Sequence, residues 1–173
     1  MEVTLPLVLE HGRAVTTAQI AEAAGVAQGT IFRVFATKEE LVEEAIDSAF
    51  DMDAYIRAVE ALQPRRTLDE TVTELAQLMI QRFSQVFAVI SIAGHKGSPP
   101  RQNAEDWVMR ISTAHTRLLE PFAGELTLPP GEVMRFVRLL AFSGSNPHIT
   151  EGHLLTAAEI SAIVLDGSRR KGP

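Results

Sequence analysis

The stretch from Thr16 to Phe35 constrains this chain most, because it is typical of two short helices joined by a glycine turn. Thr16 and Gln19 form a capping box, which predicts that a helix starts at Thr16. Gly25 tolerates the left-handed backbone that ends a helix sharply, and a second helix is expected near Ala27. The pattern is therefore that of a helix-turn-helix DNA-binding motif.

The expected second helix separates an apolar face from a small polar one. Ile31, Val34 and Phe35 share a side and are predicted to pack into the core, and Val26 is expected to pin the turn to it. The opposite face fits a major groove, where glutamine can pair with adenine and arginine with guanine or phosphate. The predicted reading residues are Gln28, Gly29, Thr30 and Arg33, with Phe32 at the boundary.

A second capping box, Thr37 with Glu40, predicts that a further helix begins directly after the motif. Lys38 lies in its first turn, where a cation and free amides can both meet a DNA phosphate. Thr16 and Thr17, at the start of the first motif helix, complete the predicted DNA-binding residues.

These residues resemble the DNA-binding signature of the TetR family of transcriptional regulators over about the first fifty residues. The resemblance rests on Ile20, Ala21, Ala24, Gly25, Val26, Gly29, Thr30, Phe32, Phe35, Lys38, Glu39 and Leu41. It implies an all-α fold: three N-terminal helices for DNA, a connecting fourth, and a larger helical domain that binds an effector and dimerises. An ordinary helical hairpin with a glycine turn is the alternative interpretation.

The charge of this region is unfavourable for DNA. Residues 1–50 carry three basic side chains against eight acidic ones, a net charge of −5, whereas DNA affinity depends on neutralising phosphates. Either most of the acids lie away from the DNA, on the helix after the motif, or a basic portion is missing. Because Pro6 follows so soon after Met1, we expect a truncated start and a short or frayed first helix. Phe32 and Val34 stand where the family often has tyrosine and histidine, which removes polar contacts.

Composition excludes other classes of protein. The 173 residues include no cysteine, which excludes disulfides, thiolate nucleophiles and thiolate metal sites. No segment approaches eighteen uninterrupted apolar residues and no secretion signal is recognisable, so we expect a cytoplasmic protein that does not span a membrane.

The sequence gives no positive indication of catalysis, and we predict no enzyme, metal or cofactor. His148, Glu151 and His153 are interpreted as a solvated loop, because the histidines lack i, i+4 spacing. His115 is interpreted as a hydrogen-bonded core residue. His95 could gate a pocket or simply be exposed.

The rest of the chain predicts helices throughout, at about 38–50, 53–62, 67–93, 103–119, 130–142 and 156–166. Capping boxes at Thr67 with Glu70 and at Thr156 with Glu159 begin two of them. The expected domains are a DNA-binding domain at 1–46, a ligand-binding and dimerisation domain at 47–166, and a loose basic tail at 167–173.

Two functional surfaces are expected in this part by analogy with the family. Large or aromatic residues on facing helices would enclose an apolar effector pocket, although each could be plain core: Met79, Phe83, Phe87, Trp107 and Ile111. The last two long helices would form a four-helix interface with a second subunit through Val133, Phe136, Val137, Leu140, Ile160, Ile163 and Val164. Two-fold symmetry would place the reading helices about 34 to 36 Å apart, or somewhat more.

These features predict a homodimeric, ligand-responsive repressor that an apolar small molecule releases from a palindromic DNA operator. The alternative is a small-molecule-binding helical dimer whose DNA-binding part is degenerate or incomplete.

Overall fold

The computed structural model describes residues 3–93 and 104–169, and helices dominate this part of the chain. They are α1 (Thr4–His11), α2 (Thr17–Ala24), α3 (Gln28–Ile31), α4 (Lys38–Ser48), α5 (Asp53–Ala61), α6 (Leu68–Ala93), α7 (Ala104–Leu119), α8 (Pro130–Gly144) and α9 (Ala157–Ser168). Two 3-10 helices, Gly12–Ala14 and Glu120–Glu125, follow α1 and α7. The predicted all-α fold is confirmed.

The helices divide into two compact units. The N-terminal unit contains the described residues up to Asp51 and the end of α6 from Gln85, and the C-terminal unit contains the other described residues, from Met52 onward. Each unit has its own cluster of buried apolar side chains. The domain limits expected from the sequence stay predictions, and α6 contributes residues to both units.

Threonine caps begin four helices where the sequence predicts them. The N–H of Gln19 donates to Thr16 Oγ1 at 3.2 Å, and the N–H of Thr16 donates to Gln19 Oε1 at 2.8 Å. The box before α4 differs, because Glu40 accepts from the N–H of Ala36 at 2.7 Å instead of from its capping threonine. The reciprocal bonds of the remaining two boxes join Thr67 with Glu70 and Thr156 with Glu159.

Two predictions about the motif are wrong, because Val34 is 70% exposed and Val26 is 41% exposed. α3 ends at Ile31, so the helical period does not continue far enough to turn Val34 inward. The turn is instead held by its backbone, since the N–H of Val26 donates to the carbonyl of Ala21 at 3.0 Å. Ile31 is buried and Phe35 packs against the N-terminal cluster, as predicted.

α6 is the long core helix. Its first half buries Leu68, Val72, Leu75 and Met79 in the C-terminal cluster, and Val89 lies in the N-terminal cluster. By length and hydropathy alone, the stretch 68–92 could cross a membrane, whereas from the sequence we expected no segment that could do so. Core helices of soluble proteins also meet this criterion, and the buried apolar positions of α6 belong to the two apolar clusters.

The predicted loose tail is wrong for its first residues. Gly167 and Ser168 belong to α9, and the N–H of Thr127 donates to the carbonyl of Ser168 at 2.7 Å. Arg169 forms an isolated bridge with Leu126 and an ion pair with Asp69. The remaining tail residues, 170–173, lie outside the described part of the chain.

Two glycines of α8 should respond in opposite ways to alanine. At Gly144 a Cβ would stand 2.8 Å from the Cβ of Leu155, so we expect Gly144→Ala to destabilise the fold by about 1–3 kcal/mol. At Gly131 the nearest atom would be Thr116 Oγ1 at 3.6 Å, so Gly131→Ala should be neutral or stabilise by up to about 1 kcal/mol. Chemical denaturation of both variants measures the difference; equal effects would contradict the close contact at Gly144.

Candidate nucleic-acid interface

A left-handed glycine joins the two motif helices. Gly25 has φ 66° and ψ 28°, and its N–H bonds the carbonyls of Ala21 and Glu22 at the end of α2. α3 starts three residues later and packs against α2. The predicted helix-turn-helix is therefore formed, with a second helix shorter than the sequence pattern indicated.

All eight predicted DNA-binding residues lie in the N-terminal unit and reach solvent. Thr17 and Lys38 are half-buried, and the other six are exposed: Thr16, Gln28, Gly29, Thr30, Phe32 and Arg33. A Cβ added at Gly29 would meet nothing within 4 Å, so packing within the protein does not demand a glycine there. Its small size suits the close approach of another molecule from outside.

One hydrogen bond connects the two motif helices through their side chains. Gln28 Nε2 donates to Thr17 Oγ1 at 2.6 Å, which ties the first residue of α3 to the first residue of α2. Both residues belong to the DNA-binding set predicted from the sequence, which did not indicate that they are bonded.

The basic side chains of this unit are partly neutralised. Arg13 Nη1 lies 2.7 Å from Glu43 Oε1, and Lys38 Nζ donates to the carbonyl of Arg13 at 3.1 Å. Lys38 Nζ also lies 3.9 Å from Glu39 Oε1. Two of the acids on α4 are therefore beside the cations rather than away from them. The N–H of Arg33 donates to the carbonyl of Thr30, but its side chain is exposed and has no hydrogen-bond or ion-pair partner in the described part of the chain.

Removing the carboxylate beside Arg13 should strengthen DNA binding. In Glu43→Gln the guanidinium loses its ion pair and becomes available to a phosphate, so we expect affinity to rise by about 0.2–1 kcal/mol, the scale of one exposed ion pair. Glu44→Gln is the matched control, because it removes the same charge from an exposed neighbour on α4. Fluorescence anisotropy at low salt compares the two, and equal gains would show that net charge alone matters.

The predicted effector-pocket residues occupy different surroundings. Met79 is fully buried in the C-terminal cluster, which makes it a core residue. Phe83 packs edge-on against Phe142, with ring centroids 5.3 Å apart. Trp107 and Ile111 are half-buried on α7, and Phe87 belongs to the N-terminal unit. None of these five lines the open depression beside α6, which Leu62, Arg65, Asp69, Glu70, Thr73, Glu74, Gln77, Leu78 and Gln81 surround.

A polar pair lies inside the C-terminal unit. His115 is buried, and its Nε2 lies 3.4 Å from the hydroxyl of Tyr55, which confirms the interpretation of His115 as a hydrogen-bonded core residue. Burial, together with the charge of Arg138, lowers the pKa of His115 to about 4, so the ring is neutral near pH 7. Burial raises the pKa of Tyr55, against smaller opposing effects of Arg82 and Arg138. Sequence reasoning missed Tyr55.

Four of the seven predicted dimer-interface residues are buried within the subunit, and the predicted interface stays a prediction. Val133, Val137, Ile160 and Val164 are buried in the C-terminal cluster of a single subunit. α8 and α9 pack against one another within the chain, so these inward faces are already covered. Leu140 is half-buried against the same cluster. The large apolar side chains that these helices expose are Phe136, Leu139, Phe142 and Ile163.

The histidine-containing loop has no metal-binding geometry. His148, Glu151 and His153 are exposed, and residues 3–93 and 104–169 contain no group of three potential metal ligands. His95, for which we considered a gating role, lies outside the described residues.

The exposed reading face, the glycine turn and the capped flanking helices together define a helix-turn-helix DNA-binding domain. A sequence model of the family described as bacterial regulatory proteins, tetR family, matches residues 2–45. Residues 2–45 therefore match the DNA-binding domain of the TetR family of regulators, and the resemblance seen in the sequence is confirmed.

Solved structures extend the likeness of fold to the whole chain. A TetR transcriptional regulator from Streptomyces coelicolor superposes with a TM-score of 0.59 at 21% identity, covering 99% of this chain and 97% of that one. A TetR-family protein from Vibrio parahaemolyticus covers 98% and 96% of the two chains at 20% identity, with a TM-score of 0.48. The first of these shows a shared fold.

Proposed function

We propose that this regulator is a cytoplasmic, homodimeric repressor that leaves a palindromic operator when an apolar small molecule binds. The observation that carries the proposal is the exposed surface formed by Gln28, Gly29 and Thr30 on α3 and by Arg33 in the turn that follows it. Glutamine and arginine are suited to adenine and guanine edges in the major groove. Phe32, Lys38 and the two threonines at the start of α2 would contact the DNA backbone.

The dimer is proposed to form through the outer faces of α8 and α9. Phe136, Leu139 and Ile163 expose apolar area there that a single subunit does not cover. Where such side chains form one patch, the exposed apolar area is typical of an interaction surface. A two-fold axis at this surface would make the contact self-complementary and give two reading helices.

The effector is proposed to bind in the C-terminal unit, among the half-buried side chains of Phe83, Trp107 and Ile111. A mostly apolar site with few polar groups is typical of small-molecule binding, and Tyr55 with His115 would supply the polar contact. The effector would act by favouring a form of the dimer that no longer matches the operator spacing.

The net charge of −5 and the Arg13–Glu43 ion pair favour the second candidate, a helical dimer that binds a small molecule but has lost specific DNA binding. Selection of DNA from a random duplex library, followed by titration over a range of salt concentrations, separates the two. A repressor should enrich a palindrome and bind it more tightly than random DNA at every salt concentration. Failure to enrich any sequence would favour the second candidate.

A further inference from the structure

We propose that Thr17 is a positioning residue for base recognition, because its hydroxyl fixes the amide of Gln28 so that the amide's remaining polar atoms can read an adenine. The proposal rests on the proposed DNA-binding function and adds a residue that determines its specificity. It starts from the 2.6 Å hydrogen bond between Gln28 Nε2 and Thr17 Oγ1.

The hydrogen-bonding capacity of the glutamine amide is only partly used by this bond. An amide group offers two N–H donors and one carbonyl acceptor. One N–H of Gln28 is given to Thr17, whereas the second N–H and Oε1 have no partner within the described part of the chain. A free N–H and an adjacent carbonyl oxygen match adenine, which presents the N7 acceptor and the N6 donor in the major groove.

The hydroxyl of Thr17 can also donate a hydrogen bond to another molecule. Oγ1 of Thr17 accepts from Gln28, so its own hydrogen remains for an acceptor outside the protein. Thr17 is half-buried at the first position of α2, beside the capping residue Thr16. A phosphate at this helix start would accept that hydrogen. One hydrogen-bonded chain would then run from phosphate through Thr17 and Gln28 to the base.

Fixing the Gln28 amide affects base recognition because a free glutamine side chain has several rotamers. Its terminal amide can also rotate so that the nitrogen and oxygen exchange places. Ordering a long polar side chain costs conformational entropy when it occurs only on binding. A side chain that is already held by Thr17 avoids part of that cost. Once the Thr17 hydroxyl donates its hydrogen to a phosphate it can only accept from Gln28, which excludes the reversed amide that would suit other bases. The pair therefore contributes to discrimination as well as to affinity.

The test uses the full chain and the palindromic duplex that the unmodified protein selects from a random library. Anisotropy titrations with every single-base change of that duplex identify the base pair that Gln28→Ala ceases to discriminate. Thr17→Val should lower the preference for adenine at that same pair about tenfold, the scale of one bidentate contact. Thr17→Ser keeps the hydroxyl and should restore the preference.

Two controls separate positioning from a structural role. Thr73→Val makes the same substitution at a half-buried threonine of α6 in the C-terminal unit, and should leave the preference at that pair unchanged. In a Gln28→Ala background, Thr17→Val should no longer alter base preference, although it still weakens binding. Circular dichroism melting checks that every variant is folded.

The outcomes distinguish the inference from the proposed function. If Thr17→Val weakens binding to all duplexes equally, Thr17 contacts only phosphate or supports the fold, and the inference is overturned while the function stands. If the unmodified protein enriches no sequence, the proposed function fails and this inference fails with it.

Discussion

Val137→Asp should unfold the subunit. Val137 is completely buried in the C-terminal cluster, and a carboxylate placed among these apolar side chains would lose its hydration. Such a burial costs several kcal/mol, which is comparable with the total stability of about 5–15 kcal/mol typical of a domain. Circular dichroism should show loss of the cooperative thermal transition.

The neighbouring residue is the matched control for this substitution. Phe136 is 39% exposed, so Phe136→Asp should leave the subunit folded while weakening the proposed dimer. Light scattering should then find a monomer, and Ile163→Asp should behave in the same way, since Ile163 is 54% exposed. A folded, monomeric Val137→Asp protein would instead place Val137 in the interface, as the sequence pattern predicted.

The second large effect concerns base recognition by Arg33. Arg33→Ala should reduce discrimination between the selected operator and its single-base variants by about 1–3 kcal/mol, because arginine pairs with guanine through two hydrogen bonds. Lys38→Ala should weaken all sequences alike and reduce the salt slope by roughly one, as expected for a phosphate contact. Both are measured by anisotropy titrations with matched and altered duplexes at several salt concentrations.

An exposed arginine outside the DNA-binding domain provides the comparison. Arg57 lies on α5, so Arg57→Ala removes the same charge without touching the reading face. Unchanged binding by this variant would show that the effects at Arg33 and Lys38 are local. Negligible and equal losses in all three variants would defeat the assignment of reading and phosphate roles.

Local signals predicted the helix starts well because a cap is a contact between residues three apart. The capping bonds at Thr16 and Thr156 occur in the structure, and Gly25 adopts the left-handed backbone expected of it. The wrong prediction that Val34 is buried also has a local cause. The pattern assumed a second motif helix of ordinary length, whereas α3 ends at Ile31 and the following residues turn.

The faces of α8 and α9 could not be assigned from the sequence, because apolar residues occur on more than one side of both helices. Val133 and Val137 point inward, and Phe136 and Leu139 of the same helix point outward. Periodicity identifies such faces but does not say which one a neighbouring helix of the same chain will cover. The Tyr55–His115 pair could not be predicted from the sequence either, since its members are 60 residues apart.

The ion pair between Arg13 and Glu43 has a consequence for how the protein would search a genome. Random DNA attracts a protein almost entirely through its phosphates, and a genome offers millions of such sites for every operator. A DNA-binding domain that holds part of its positive charge against its own carboxylates should have less affinity for those sites than one whose cations are free. Such a protein would need fewer copies per cell to occupy a specific site, because random sequence would sequester fewer of them.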